Sequence, residues 1–177
     1  MLTLQFDGML HLVSEKEGHA GLLGYGWLVL DNQLEVALGF GLFAHRYLAN
    51  SNIAEYLALI EGLEALTDLR NSQRAVEIRG DARSVIDQMK GVASVSSLPT
   101  QKFYCRAKQL ATHFDSLTWT WVPRKENKLA DRLSRRGLHQ LHARPEAYEK
   151  ALNQLRTYPT KGNGLIPVVD LRVYTTG

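Results

Sequence analysis

Four acidic residues, Asp7, Glu55, Asp81 and Asp131, could do chemistry together, and of them Glu55 alone stands where its position calls for an explanation. Asp7 lies in Phe6-Asp7-Gly8, inside an apolar/polar alternation, where Asp-Gly is also a leading hairpin signal; a turn and a functional carboxylate are both open locally. Glu55 sits in a helically periodic segment, in a column with Leu59, Gly62 and Leu66, about 120° or more from the solvated arc carrying Glu61 and Asp68. A carboxylate turned from solvent needs a partner, and a metal ion is one candidate. Asp81 follows Arg79-Gly80 and could cap a helix opening at Ala82. Asp131, early in a helix, could pair with Arg135 four residues on. Brought together, such carboxylates would suit hard divalent cations such as magnesium, which prefer oxygen ligands and require no His or Cys cluster.

The elements that must position these residues follow from periodicity. Leu2, Leu4 and Phe6 alternate like a half-buried strand that can continue through Leu10 and Leu12. Residues 14–21 read as a loop. Strand-like runs at 24–30 and 35–43 flank Asp31-Asn32-Gln33, a connection suited to an antiparallel hairpin. Ile53, Tyr56, Leu57, Ile60 and Leu63 mark a helix over 52–69, with Ser51 or Asn52 as N-cap. A strand at 75–79, a helix at 82–90, a helix at 100–114 preceded by Pro99, and a strand at 117–122 stopped by Pro123 come next. A helix from about Asn127 closes at Gly137, read as its C-cap. Beyond it, 145–156 reads as a helix, 161–164 as a turn and 165–174 as an apolar, strand-forming end that could extend the sheet's edge, cover the sheet or meet a second subunit. The order βββαβααβα predicts an α/β (α+β) fold with a mixed sheet and helices packed on it.

With 177 residues the chain can bury one substantial core, so one domain plus a tail is expected. Apolar residues at 45% and charged residues at 22% fit a soluble globular protein. The net charge of +3 is too small to predict nucleic-acid binding by itself. Its distribution is uneven: between 124 and 136, six cations (Arg124, Lys125, Lys128, Arg132, Arg135, Arg136) face Glu126 and Asp131, a local +4. That run suits phosphate contact, or a solvated helix face with ion pairs. The lone Cys105 excludes an internal disulfide or zinc cage and reads as an ordinary small core residue. No signal or transit peptide is apparent, and the longest apolar stretch, 21–30, is too short for a bilayer, so a cytoplasmic location without membrane association is expected.

In order and spacing, Phe6-Asp7-Gly8, Asn52-Ile53-Ala54-Glu55-Tyr56, Arg79-Gly80-Asp81 and Trp121-Val122-Pro123-Arg124 through Asn127-Lys128-Leu129-Ala130-Asp131 resemble type 1 ribonuclease H, in its compact bacterial and archaeal-like branch. The resemblance covers about residues 1–138, leaving 139–177 as a C-terminal helix and strand-like extension. It implies a ribonuclease H-like fold, three antiparallel strands followed by two parallel ones, with Asp7, Glu55, Asp81 and Asp131 as catalytic ligands of two magnesium or manganese ions. It further implies an endonuclease that cuts the RNA strand of RNA–DNA hybrids, leaving a 5′-phosphate. Substrate contacts are expected from Gly8, Ser51, Asn52, Arg124, Lys125 and Asn127, although Ser51 and Asn52 equally suit helix capping.

The chain also departs from the family pattern. No histidine stands in the loop before Asp131; only Arg124 and Lys125 occupy that stretch, and cations of this kind are poor general bases near neutral pH. His113 and His139, which flank the region, read as ordinary histidines. The basic, tryptophan-bearing insertion of some members is missing, since 89–103 holds only Lys90 and Lys102 as cations. Ala82 replaces a common Ser, and 9–21 lacks the usual Asn-Pro-Gly. A nuclease on another substrate, such as a DNA junction or duplex RNA, and a non-catalytic binding module therefore remain alternatives. An aspartate-centred phosphotransferase ranks last because the lysine and Thr/Ser motifs it needs are absent. The sequence leaves the oligomeric state open.

Overall fold

The computed structural model describes residues 1–14, 20–46, 49–70, 73–157 and 165–174. Three long strands, β1 (Leu2–Ser14), β2 (Ala20–Asp31) and β3 (Leu34–His45), form an antiparallel meander. Asn32 and Gln33, both at positive φ (48° and 72°), turn the chain between β2 and β3. Helix α1 (Ser51–Asp68) leads to β4 (Val76–Gly80), α2 (Arg83–Met89), α3 (Leu98–Ala111) and β5 (Leu117–Trp121). A 3-10 turn at Arg124–Glu126 precedes α4 (Lys128–His142), then α5 (Pro145–Thr157) and β6 (Leu165–Tyr174). The strand order is β5-β4-β1-β2-β3-β6, with β4 parallel to both β1 and β5.

The apolar run of β2 is explained by burial on both faces. Leu23, Tyr25, Trp27 and Val29 join Leu4, Phe6 and the buried side of α1 in the main core. On the other face, Leu28 and Leu30 meet Ala130 of α4, and Leu22 joins Leu42, Leu138, Leu141, Leu155 and Ile166. Each fully buried leucine, valine, isoleucine or phenylalanine among them contributes about 1.5–3 kcal/mol on burial. Gly24 and Gly26 let the α4 backbone rest on β2: a Cβ there would lie 2.2 Å from Ser134 O and 2.3 Å from Ser134 N.

Several expectations are revised by tertiary contacts. The cap of α1 is Asn50, whose Oδ1 accepts from Ile53 N at 2.9 Å, so Ser51 and Asn52 are helical residues. Gly137 lies inside α4, which continues five residues further; a Cβ there would stand 2.9 Å from Gly41 O, so the glycine serves a close approach to β3 rather than a helix end. Pro99 lies within the first turn of α3, where its missing N–H costs no helical bond. Cys105 is exposed on α3. Glu61, placed on the solvated arc, is bonded by Arg172 because the 165–174 segment joins the sheet edge as a sixth strand, antiparallel to β3. Most of the loop expected at 14–21 and the turn at 161–164 lie outside the described residues. Among the described residues, no helix is long and apolar enough to cross a membrane.

Candidate active site

The parallel ladder between β1 and β4 ends at Gln5 and Arg79. Asp7 on β1 and Asp81, just beyond β4, therefore extend past the last paired residues at the same end of the sheet, where open α/β sheets place their ligands. The helices complete the site from both faces. Glu55 on α1 accepts a hydrogen bond from Gly8 N at 3.0 Å through Oε2. Ser134 on α4 places its Oγ 2.5 Å from Asp7 Oδ2 and 2.9 Å from Asp131 O. Asn127 Nδ2 donates to Phe6 O at 2.8 Å and to Asp81 Oδ1 at 2.6 Å. Trp121 Nε1 donates to Asp81 O at 3.1 Å.

Burial and neighbouring charge act on these carboxylates unequally. Burial pushes the Asp7 carboxyl up to about 7; Ser134 opposes the rise, and the charges of Asp81 and Asp131 add to it. Burial likewise raises Glu55 well above the usual range, with further push from Asp7 and Asp81. Asp131 moves the other way: partial burial raises it, but Arg135 and Arg124 together hold it below the ordinary value. Arg124 forms a close ion pair with Asp131, and Arg135 Nε lies 3.3 Å from Asp131 Oδ2. Asp7 is thus the hub whose charge is felt by, or feels, the other three.

Such a set of oxygen donors fits a hard divalent cation, which would relieve the crowding of negative charge. The cage is not preassembled: among the described residues, no three Asp, Glu, His or Cys side chains are gathered tightly enough to enclose an ion. Ser134, Asn127 and the two arginines instead occupy oxygens of Asp7, Asp81 and Asp131. Side-chain rotation, chiefly the release of Asp131, would precede ion binding.

The residues expected to contact substrate occupy different environments. Ser51 is exposed, while Asn52 is half-buried and accepts from Ser84 Oγ at 3.0 Å. Arg124 and Lys125 are exposed and line, with Lys128 and Asp131, a shallow cavity of about 300 Å³. Asn127 is fully buried and its amide N–H groups face inward. Gly8 offers its N–H to Glu55. A larger cavity of about 470 Å³ lies between α4, α5 and β6, lined in part by Arg144, Lys150 and Val168; it holds none of the four carboxylates.

Sequence reasoning missed Ser134. Its signal was a small polar residue on the buried face of α4, among Ala130, Gly137, Leu138 and Leu141, one helical turn after Asp131. The stacking of Arg83 on Trp121, 5.1 Å from guanidinium carbon to ring centroid, was also missed, since it joins α2 to β5 through no local pattern.

Residues 5–137 match the model of the Reverse transcriptase-like family. The chain is 33% identical over 133 residues to ribonuclease HI of Halobacterium salinarum, covering 75% of this chain and 62% of that protein. It is 35% identical over 117 residues to the bifunctional protein Rv2228c of Mycobacterium tuberculosis, covering 66% of this chain and 31% of the relative. The chain therefore spans under two thirds of the length of these curated relatives. The crystal structure of RNase H1 from Halobacterium salinarum NRC-1 matches with a TM-score of 0.67 at 31% identity, over 78% of this chain and 98% of that one. LC11-RNase H1 in complex with RNA/DNA hybrid matches with a TM-score of 0.67 at 21% identity, over 79% and 98%, a likeness of fold. From the family match, these relatives and the six-stranded mixed sheet with its flanking helices, the chain belongs to the Reverse transcriptase-like family and has the type 1 ribonuclease H fold.

Proposed function

We propose that this protein is a ribonuclease H, an endonuclease that hydrolyses the RNA strand of RNA–DNA hybrids, with Asp7, Glu55, Asp81 and Asp131 as its catalytic, metal-holding residues. The observation that carries the reading is geometric: beyond the β1–β4 ladder, Asp7 is tied to the Asp131 helix through Ser134 and to the Glu55 helix through Gly8, with Asp81 at the same end of the sheet. Two magnesium or manganese ions bound there would lower the pKa of a water and offset charge on the attacking and leaving oxygens. Asp7 supplies a buried oxygen and Glu55 a half-buried one, Asp81 is held by Asn127, and Asp131 supplies a ligand once it parts from Arg124. Freed, Arg124 joins Lys125 and Lys128 in holding the phosphate backbone. Ser51 and Asn52 open α1 beyond its cap Asn50, and in this reading they contact 2′-hydroxyls. The RNA/DNA hybrid in the LC11-RNase H1 complex supports the choice of substrate by likeness of fold.

In this reading residues 1–138 form the catalytic domain and 139–177 an extension, of which α5 packs on the sheet and β6 joins its edge, and the protein works in the cytoplasm. The test is cleavage of end-labelled RNA–DNA hybrid with magnesium or manganese, beside duplex RNA, single-stranded RNA and a DNA junction. Hybrid left intact across a pH series would refute the proposal. Cleavage of another member of the panel instead would favour the second reading, a nuclease of the same fold on a different substrate. The scarcity of cations between 89 and 103 makes that reading worth the extra lanes.

A further inference from the structure

We infer that Ser134 is a positioning residue for Asp7, holding one carboxylate oxygen so that the other is presented to a divalent cation; the inference rests on the function proposed above. Three residues make the arrangement. Asp7 pairs with Gly26 across the β1–β2 ladder. Gly26, having no Cβ, admits the backbone of Ser134, whose N would be 2.3 Å from any Cβ placed there. The α4 backbone is thereby seated over the strand pair, and the Ser134 hydroxyl falls 2.5 Å from Asp7 Oδ2.

Ser134 has no solvent exposure and Asp7 only 4%, so water does not compete for this contact. The hydroxyl carries one proton and lies within reach of two acceptors, Asp7 Oδ2 and Asp131 O at 2.9 Å. Once a bound cation holds Asp7 ionised, a bond to that carboxylate is stronger than one to a neutral carbonyl, so the hydroxyl proton is then directed at Asp7. Oδ2 is then occupied and the rotation of the carboxylate is restricted. Asn127 stands in the same relation to Asp81, at 2.6 Å. Partners of this kind orient metal ligands, and their loss commonly costs 10–100-fold in metal affinity or activity.

The experiment compares the full chain with Ser134→Ala and Ser134→Cys. Manganese affinity is measured by titration calorimetry, and the metal dependence of hybrid cleavage and the thermal unfolding of the metal-free protein are followed alongside. Ser134→Ala is expected to bind manganese about tenfold more weakly and to regain most of its turnover at high metal, with Ser134→Cys between it and the parent. A lower melting temperature with unchanged manganese affinity would reduce Ser134 to packing and overturn the inference. If Ser134→Ala does not fold, the same comparison is made with Ser134→Cys, where parental manganese affinity overturns it. A parent chain that binds no manganese and cuts no hybrid sinks the proposed function itself. A parent that does both, beside a variant of equal affinity, sinks only the role of Ser134.

Discussion

The amide of Gly8 donates to Glu55 Oε2 at 3.0 Å, joining the strand that carries Asp7 to the helix that carries Glu55. A Cβ at Gly8 would stand 2.2 Å from Ala54 C and from Glu55 N, both backbone atoms that cannot step aside. Gly8→Ala is therefore expected to push α1 off β1, at a cost of about 1–3 kcal/mol or more, and to depress cleavage by displacing Glu55. Urea unfolding and the hybrid assay check this. Parental stability would contradict so close an approach.

Asp81→Asn should abolish cleavage while keeping the fold. An Asn at this position retains an oxygen for the Asn127 amide but loses the charge that a divalent cation needs. The loss should exceed the roughly 100-fold typical of a supporting residue. Turnover and circular dichroism of the same preparation separate the two effects.

The metal-free protein should lose stability as pH rises. The ordinary values of Asp7 and Glu55 are 3.8 and 4.5, whereas in the fold Asp7 is pushed up to about 7 and Glu55 well above its usual range. Between about pH 4 and 7 the native state thus binds more protons than the unfolded chain, so unfolding becomes easier toward neutral pH. Melting in EDTA at pH 5 and pH 7.5, compared with Asp7→Asn, isolates the Asp7 part. The parent should fall relative to the variant across this window, and added magnesium should narrow the gap. A gap that does not change with pH would show that Asp7 is not held protonated.

Arg124→Ala should leave stability within about 1 kcal/mol, because the Arg124 side chain is largely exposed and Asp131 keeps Arg135 as a partner. It should raise KM for hybrid and lower the salt dependence of binding by about one unit of logarithmic slope. An unchanged salt slope would remove Arg124 from the phosphate contacts.

Leu155→Ala tests the extension. This side chain is 3% exposed, in the cluster formed with Leu22, Leu42, Leu138, Leu141 and Ile166. Truncation is expected to cost about 2–5 kcal/mol. A change under about 0.5 kcal/mol would mean that α5 contributes little to the fold.

Most elements were legible because periodicity is local. The alternation at Leu2, Leu4 and Phe6 and the apolar face of α1 each report on neighbours within a few residues. End effects were less so: Asn50 captured the cap of α1, and Gly137, a helix terminator by type, serves α4 as a point of close approach to β3. The strand-forming character of 165–174 was visible, but its place beside β3 was one of three possibilities until the pairing of Leu171 with Phe40 and neighbouring pairs decided it. Glu61 then changed from a solvated residue to the partner of Arg172.

The sequence by itself determined the order of the strands and helices through local periodicity, and Glu55 through its place on the α1 helix, while Asp7, Asp81 and Asp131 stood out through the order and spacing of motifs that resemble ribonuclease H. Tertiary structure decided how those carboxylates are held. Ser134 and Asp7 are 127 positions apart, and Asn127 and Asp81 are 46 apart. No local period connects residues at such separations; they meet only because Gly24 and Gly26 let α4 settle against the sheet, and that approach places each hydroxyl and amide on its acid.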